Sequence, residues 1–240
     1  GRIMAMEMLA SGIDLSFAPV LDLDRGSRVI GDRSFSADPA VITTLGRSYL
    51  AGMRDAGMKA TGKHFPGHGS VVADSHVDDV SDPRPLATIR AEDMAPFSEL
   101  MPDLDALMIA HVVYPEVDTV PAGYSRTWLQ GILRQELGYR GVVFSDDLGM
   151  HAAKVAGGVD ERARLCLEAG CDLVLVCHPE DVEELMSGDT DGFAARGGAA
   201  GRLYGAPTVD RDEIAVVESE GIREWGHWRR SLEQLGESWS

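Results

Sequence analysis

Residues 127–147 run TWLQGILRQELGYRGVVFSDD: a helix over 127–137, a glycine stop, and a short apolar strand over 141–145 that delivers two acids, Asp146 and Asp147. Gly138 stands where a helix C-cap favours a left-handed residue. A brief apolar run bounded by glycine and charge reads as a buried strand. A helix feeding a buried strand is the repeat of a parallel α/β fold, because parallel neighbours need a crossover that packs on the sheet.

The same alternation extends in both directions. Upstream lie a strand over 105–113, a helix over 85–101, a strand over 58–62 that runs into a loop over 63–82, and a helix over 39–56. That last helix has Val41, Leu45, Tyr49 and Met53 at helical spacing. Before it comes the strand IDLSFAPVL over 13–21, and the chain opens in a helix with Ile3, Met6 and Ala10 on one side. Downstream, a helix over 159–169 is closed by Gly170 and followed by a strand over 172–177. Beyond His178 the signal fades: 187–207 is rich in glycine and alanine and reads as a loop or weak helix. A helical tail is expected over 208–240, its 218–239 part holding three tryptophans.

The expected fold class is therefore α/β, a (β/α)8 TIM-type barrel of which residues 1–240 hold about the last five βα units as a single partial domain. Polar residues follow nearly every strand: Asp22 and Asp24 after the first, Lys63 and His64 after the second, then His111, Asp146 with Asp147, and His178. Barrel enzymes place their chemistry at these carboxyl ends. A doubly wound sheet does so too, and the pattern alone does not separate the two.

Composition narrows the partners. Against 22 basic residues stand 39 acidic ones, a net charge of −17. Such a field repels phosphate backbones and anionic lipid, so neither nucleic acid nor membrane is an expected partner, and a soluble monomer is. Cys166, Cys171 and Cys177 show no paired spacing; Cys171 and Cys177 flank and end an apolar run and suit buried positions. A cytoplasmic location is the corresponding expectation.

The densest chemistry lies in KHFPGHG over 63–69 and in Asp74-Ser75-His76. Lys63 and His64 can donate to the oxygens of a polar ligand. Asp74 stands two residues before His76, close enough for the carboxylate to orient an imidazole that transfers protons near neutral pH. A zinc site from His64, His68, His76 and Asp74 is an alternative, although Pro66 and Gly67 break the helical spacing that such a motif needs. Asp146 can act as a nucleophile if a proton donor lies across the scissile bond. Arg33, in IGDRSFSADP, could clamp a sugar oxygen or pair with Asp32 or Asp38.

Five segments occur in one order: SFAPVLDLD, IGDRSFSADP, KHFPGHGSVVADSH, AHVVYPEVD and GVVFSDDLGM. Together they resemble the bacterial β-N-acetylglucosaminidases of glycoside hydrolase family 3, over residues 1–178 and more loosely to the tail. The resemblance implies Asp146 as the nucleophile of a retaining mechanism and His76 as the general acid and base. It implies Asp74 as the partner of His76, and Arg33, Lys63 and His64 as the residues that hold N-acetylglucosamine. It further implies a muropeptide substrate of the GlcNAc-anhydro-MurNAc type, action in peptidoglycan recycling and no cofactor or metal. Some similar enzymes transfer the sugar to phosphate. The barrel of such enzymes begins upstream; about 90 residues, three βα units, would precede this chain and carry further sugar-binding groups. A sugar-binding fragment without turnover is the alternative from another class.

Overall fold

In α2 (Pro39–Ala56), Asp38 accepts the amide of Ala40 as N-cap at 2.7 Å, and Pro39 fills the first turn, where no amide is needed. Gly57 closes that helix at φ 87°. The computed structural model describes residues 1–71, 80–188 and 198–208. Its helices are α1 (Arg2–Ala10), α2, α3 (Leu86–Ala91), α4 (Ala95–Leu100), a π-helix (Thr127–Glu136), α5 (Val159–Ala169) and α6 (Pro179–Ser187). Its strands are β1 (Leu15–Ser16), β2 (Lys59–Phe65), β3 (Ala106–Ile109), β4 (Val142–Asp147) and β5 (Leu173–Leu175).

The five strands pair in parallel and in chain order, β1-β2-β3-β4-β5, with helices in the connections. This is a half-barrel, the partial (β/α)8 architecture that the alternation implies. All four residues of β3 are buried, so the strand has protein on both faces. Leu107 and Ile109 join the larger core with Phe65, Phe97, Leu50 and Trp128, under the helices. Ala106 and Met108 point the other way, to a smaller core with Phe144, Val142 and Leu203. The two-residue alternation of a strand separates these sets.

Leu203 reaches the inner face because residues 198–208 cross the amino-terminal end of the sheet. Arg202 donates to Arg140 O at 2.6 Å, and the Gly205 amide donates to Asp14 Oδ1 at 3.2 Å. The Ala206 amide donates to Gly57 O at 2.9 Å. The opposite, carboxyl end of the sheet is thus left for the site.

Several boundaries differ from expectation. The strand expected over 13–21 shortens to Leu15–Ser16, since Pro19 has no amide to donate, although Leu21 N still bonds Lys63 O at 2.7 Å. Lys63 and His64 belong to β2 rather than to a loop. The helix expected over 85–101 is split into α3 and α4, because Pro96 cannot donate back to Glu92 and starts a new helix instead. The core stripe of α2 is Ile42, Gly46, Leu50 and Met53, one residue round from the expected one; Val41 and Leu45 are exposed. Gly46 explains the rotation: a methyl there would lie 2.7 Å from Leu100 Cδ1, so bare backbone packs where helical spacing calls for an apolar side chain. In α1, Ala5 and Leu9 are the buried residues rather than Ile3, Met6 and Ala10. Residues 127–136 form a π-helix, Leu137 N reaching Ile132 O at 2.9 Å. Pro179, Glu180 and Asp181 open α6 where no element was expected. Cys166 and Cys171 are buried, but Cys177 is exposed. Most of the expected 208–240 tail lies outside the described residues. Among the described residues, no helix is long and apolar enough to cross a membrane.

Candidate active site

Asp22, Lys63, His64, His111 and Asp146 converge at the carboxyl ends of the strands. Asp22 follows the segment that runs beside β2, and it is fully buried. Its Oδ2 accepts from His64 Nδ1 at 2.7 Å and from the His64 amide at 3.1 Å, while Oδ1 accepts from the His68 amide at 2.7 Å. Burial by itself would raise its carboxyl pKa. The His64 imidazole, by charge and hydrogen bond, and then His68, by charge and amide, outweigh it and hold the group below its ordinary value.

The other imidazole nitrogen, His64 Nε2, lies 3.9 Å from Asp146 Oδ2. Asp146 stands near the end of β4, where its Oδ1 accepts the Asp147 amide at 2.8 Å. Of the two consecutive acids, Asp147 is bound to backbone: its Oδ1 accepts from the amides of Gly149 and Cys177, each at 3.0 Å. Lys63 is next to this group. Its ammonium is pushed toward neutrality by burial and by the guanidinium of Arg33, and is favoured by the charges of Asp146 and Asp22. Arg33 donates to Val29 O at 2.7 Å through Nη2 rather than to Asp32 or Asp38. His64 and Asp146 are therefore brought together, with Lys63 within electrostatic reach of Asp146 and Arg33 within electrostatic reach of Lys63. Asp74 and His76 lie outside the described residues.

The segments on either side of 72–79 are anchored. Ser70 Oγ donates to Asp93 Oδ1 at 2.7 Å, and Asp93 pairs with Arg84 at 2.8 Å. Arg84 also binds Asp82 at 2.6 Å, and Val113 N donates to Val80 O at 2.9 Å. Tyr114 OH donates to Gly67 O at 2.7 Å and ties the turn to the core. The zinc alternative depends in part on Asp74 and His76; among the described residues no group of three or more His, Cys, Asp or Glu side chains is placed to hold a metal ion.

Two contributors carried no assigned role in the sequence. Asp22 reads there as one acid of a pair after a strand, and its burial is the deciding fact. His111 lies just past β3 and is buried, with Nε2 3.2 Å from Asp146 O. Burial lowers its pKa from the ordinary 6.5, the charge of Asp146 opposing, and burial lowers that of His68 as well. Such a histidine binds its proton more readily in the unfolded chain. Stability is then complete above pH 6.5 and is lost as pH falls toward the lower folded values. We expect the thermal midpoint to fall as pH is taken from 7 to 5, and a His111→Gln chain to show a shallower fall. Equal slopes would show that His111 does not contribute.

The model of the glycosyl hydrolase family 3 N-terminal domain matches residues 1–190. A β-hexosaminidase from Xanthomonas oryzae pv. oryzae is 58% identical over 186 residues, covering 77% of this chain and 56% of the relative. The chain thus spans about half the length of the curated relatives it matches. The crystal structure of native NagZ from Neisseria gonorrhoeae superposes with a TM-score of 0.78 at 45% identity, over 93% of this chain and 65% of that one. The same protein in complex with N-trifluoroacetyl-D-glucosamine also matches, with a TM-score of 0.78 at 44% identity, over 93% of this chain and 65% of that one. Together with the half-barrel, these matches mean that the chain belongs to glycosyl hydrolase family 3, through its N-terminal domain.

Proposed function

We propose that this chain carries the reacting groups of a retaining β-N-acetylglucosaminidase, acting on the nonreducing end of peptidoglycan-derived muropeptides. The observation that carries the reading is the setting of Asp146: a strand-end carboxylate with His64 Nε2 3.9 Å from its Oδ2, next to the Lys63 ammonium. Asp146 Oδ2 attacks the anomeric carbon as the bond to the leaving oxygen breaks, and a glycosyl ester forms. His76, oriented by Asp74, protonates the leaving oxygen and then takes a proton from the water that opens the ester. Lys63 and Arg33 donate to sugar hydroxyls, His64 accepts from one, and together they hold the ring against Asp146. Free cysteines suit the reducing cytoplasm in which such fragments would be processed.

The Lys63 cation, which feels the charges of both Arg33 and Asp146, also favours an anionic acceptor, so phosphorolysis is the second reading. Release of aryl alcohol from an aryl β-N-acetylglucosaminide, with and without phosphate, tests both. Hydrolysis without phosphate is the expected result. A rate that needs phosphate would move the assignment to the phosphorylase. Sugar binding with no turnover in either buffer would make the isolated chain a binding fragment.

A further inference from the structure

We propose that Asp22 is a positioning residue that works through His64. It fixes the tautomer of the imidazole and aims Nε2 at the space between His64 and Asp146. The proposal rests on the reading of Asp146 as the nucleophile. An ionised carboxylate only accepts hydrogen bonds, so the 2.7 Å contact between Asp22 Oδ2 and His64 Nδ1 requires the proton on Nδ1. In a neutral ring Nε2 then carries a lone pair. It lies 3.9 Å from Asp146 Oδ2, beyond hydrogen-bond reach, and can accept from a hydroxyl brought against Asp146. A ring held the other way round would present N–H to Asp146 and draw charge from the attacking oxygen.

Asp22 is suited to this task. It is fully buried, and both oxygens are engaged, Oδ1 by the His68 amide and Oδ2 by the amide and ring of His64. The carboxylate therefore sets the backbone of the 64–68 turn and the ring that the turn presents. A leucine of similar size cannot replace it, because it offers no acceptor to the ring or to either amide. Nothing then holds the proton on Nδ1, and the ring is free to carry it on Nε2.

The plainer account is that Asp22 only ties two backbone amides together. The tautomer of His64 distinguishes the two. We would record the ring nitrogen shifts of the 15N-histidine-labelled chain at a pH where the His64 ring is neutral, assigning His64 by the signal lost in His64→Gln. The expected result is a protonated Nδ1 and an unprotonated Nε2, with the proton mainly on Nε2, the tautomer a free imidazole favours, in Asp22→Leu. A wild-type ring protonated on Nε2 would overturn the proposal, and so would an Asp22→Leu spectrum with the wild-type tautomer. If Asp22→Leu does not fold, the wild-type spectrum still decides.

These readouts need no turnover, so an inactive chain would count against the proposed function and leave this test intact. In the active enzyme Asp22→Leu should lower kcat/KM by about 10²-fold, the scale of a misplaced reacting group. Combined with His64→Gln it should lose little more than the larger single effect. Additive losses would mean that Asp22 does not act through His64.

Discussion

Replacing Asp146 with alanine is expected to lower hydrolysis of an aryl β-N-acetylglucosaminide by at least about 10⁴-fold, the scale on which removal of a nucleophile is felt. The thermal midpoint should barely change. Asp146 is part-exposed, and among the described residues its side-chain partners are the adjacent Asp147 amide and, at 3.9 Å, His64. Little of the fold depends on it, whereas the neighbouring Asp147 is committed to the amides of Gly149 and Cys177. Loss of the carboxylate leaves a gap facing the anomeric carbon. Azide supplied in solution should enter it, attack that carbon and release the aryl alcohol, giving a glycosyl azide of inverted configuration. Recovery of rate with that product identifies a covalent nucleophile. Retention of more than a tenth of the wild-type rate in the alanine chain would remove Asp146 from the covalent step.

How far the site was legible in the sequence depends on where each residue gets its role. Asp146 was legible because an apolar strand that ends in acids has a single simple geometry: the strand is buried and its last residues emerge at the sheet end. The order of the strands was legible for a related reason, since each buried run is followed by a crossover long enough for a helix. Asp22 was not. Its role comes from its full burial and its bonds to the His64 ring and the His64 and His68 amides, and nothing within the LDLD segment distinguishes the buried acid from the exposed Asp24. The core stripe of α2 was misplaced for the converse reason. Gly46 packs by lacking a side chain, so a search for apolar residues at helical spacing passes over it. Lys63 and His64 look like loop residues because they are polar, yet both belong to β2, and the His64 ring reaches Asp22 and Asp146.

Gly69 shows how closely the site depends on such backbone contacts. A methyl group at this position would lie 1.8 Å from Leu23 O, 2.6 Å from Leu23 N and 2.7 Å from Leu23 C. All three are backbone atoms, so no side chain can swing aside; either the 66–69 turn or the segment at Leu23 must shift by more than an ångström. Both are buried: Leu23 has no exposed surface, and Asp22 beside it holds the amides of His64 and His68. Overpacking of a tight core costs about 1–3 kcal/mol, and a clash against backbone belongs at the upper end. Gly69→Ala is therefore expected to destabilise the chain by about 3 kcal/mol, a fall of roughly 6–12 °C in thermal midpoint for a chain of this size. The same shift separates Asp22 from His64, so sugar binding should weaken in whatever protein still folds. Gly131 serves as the control, since a methyl there meets nothing within 4 Å and Gly131→Ala should not lower the midpoint. A Gly69→Ala chain that melts within about 2 °C of wild type would mean that the turn yields more easily than a backbone-to-backbone contact should allow.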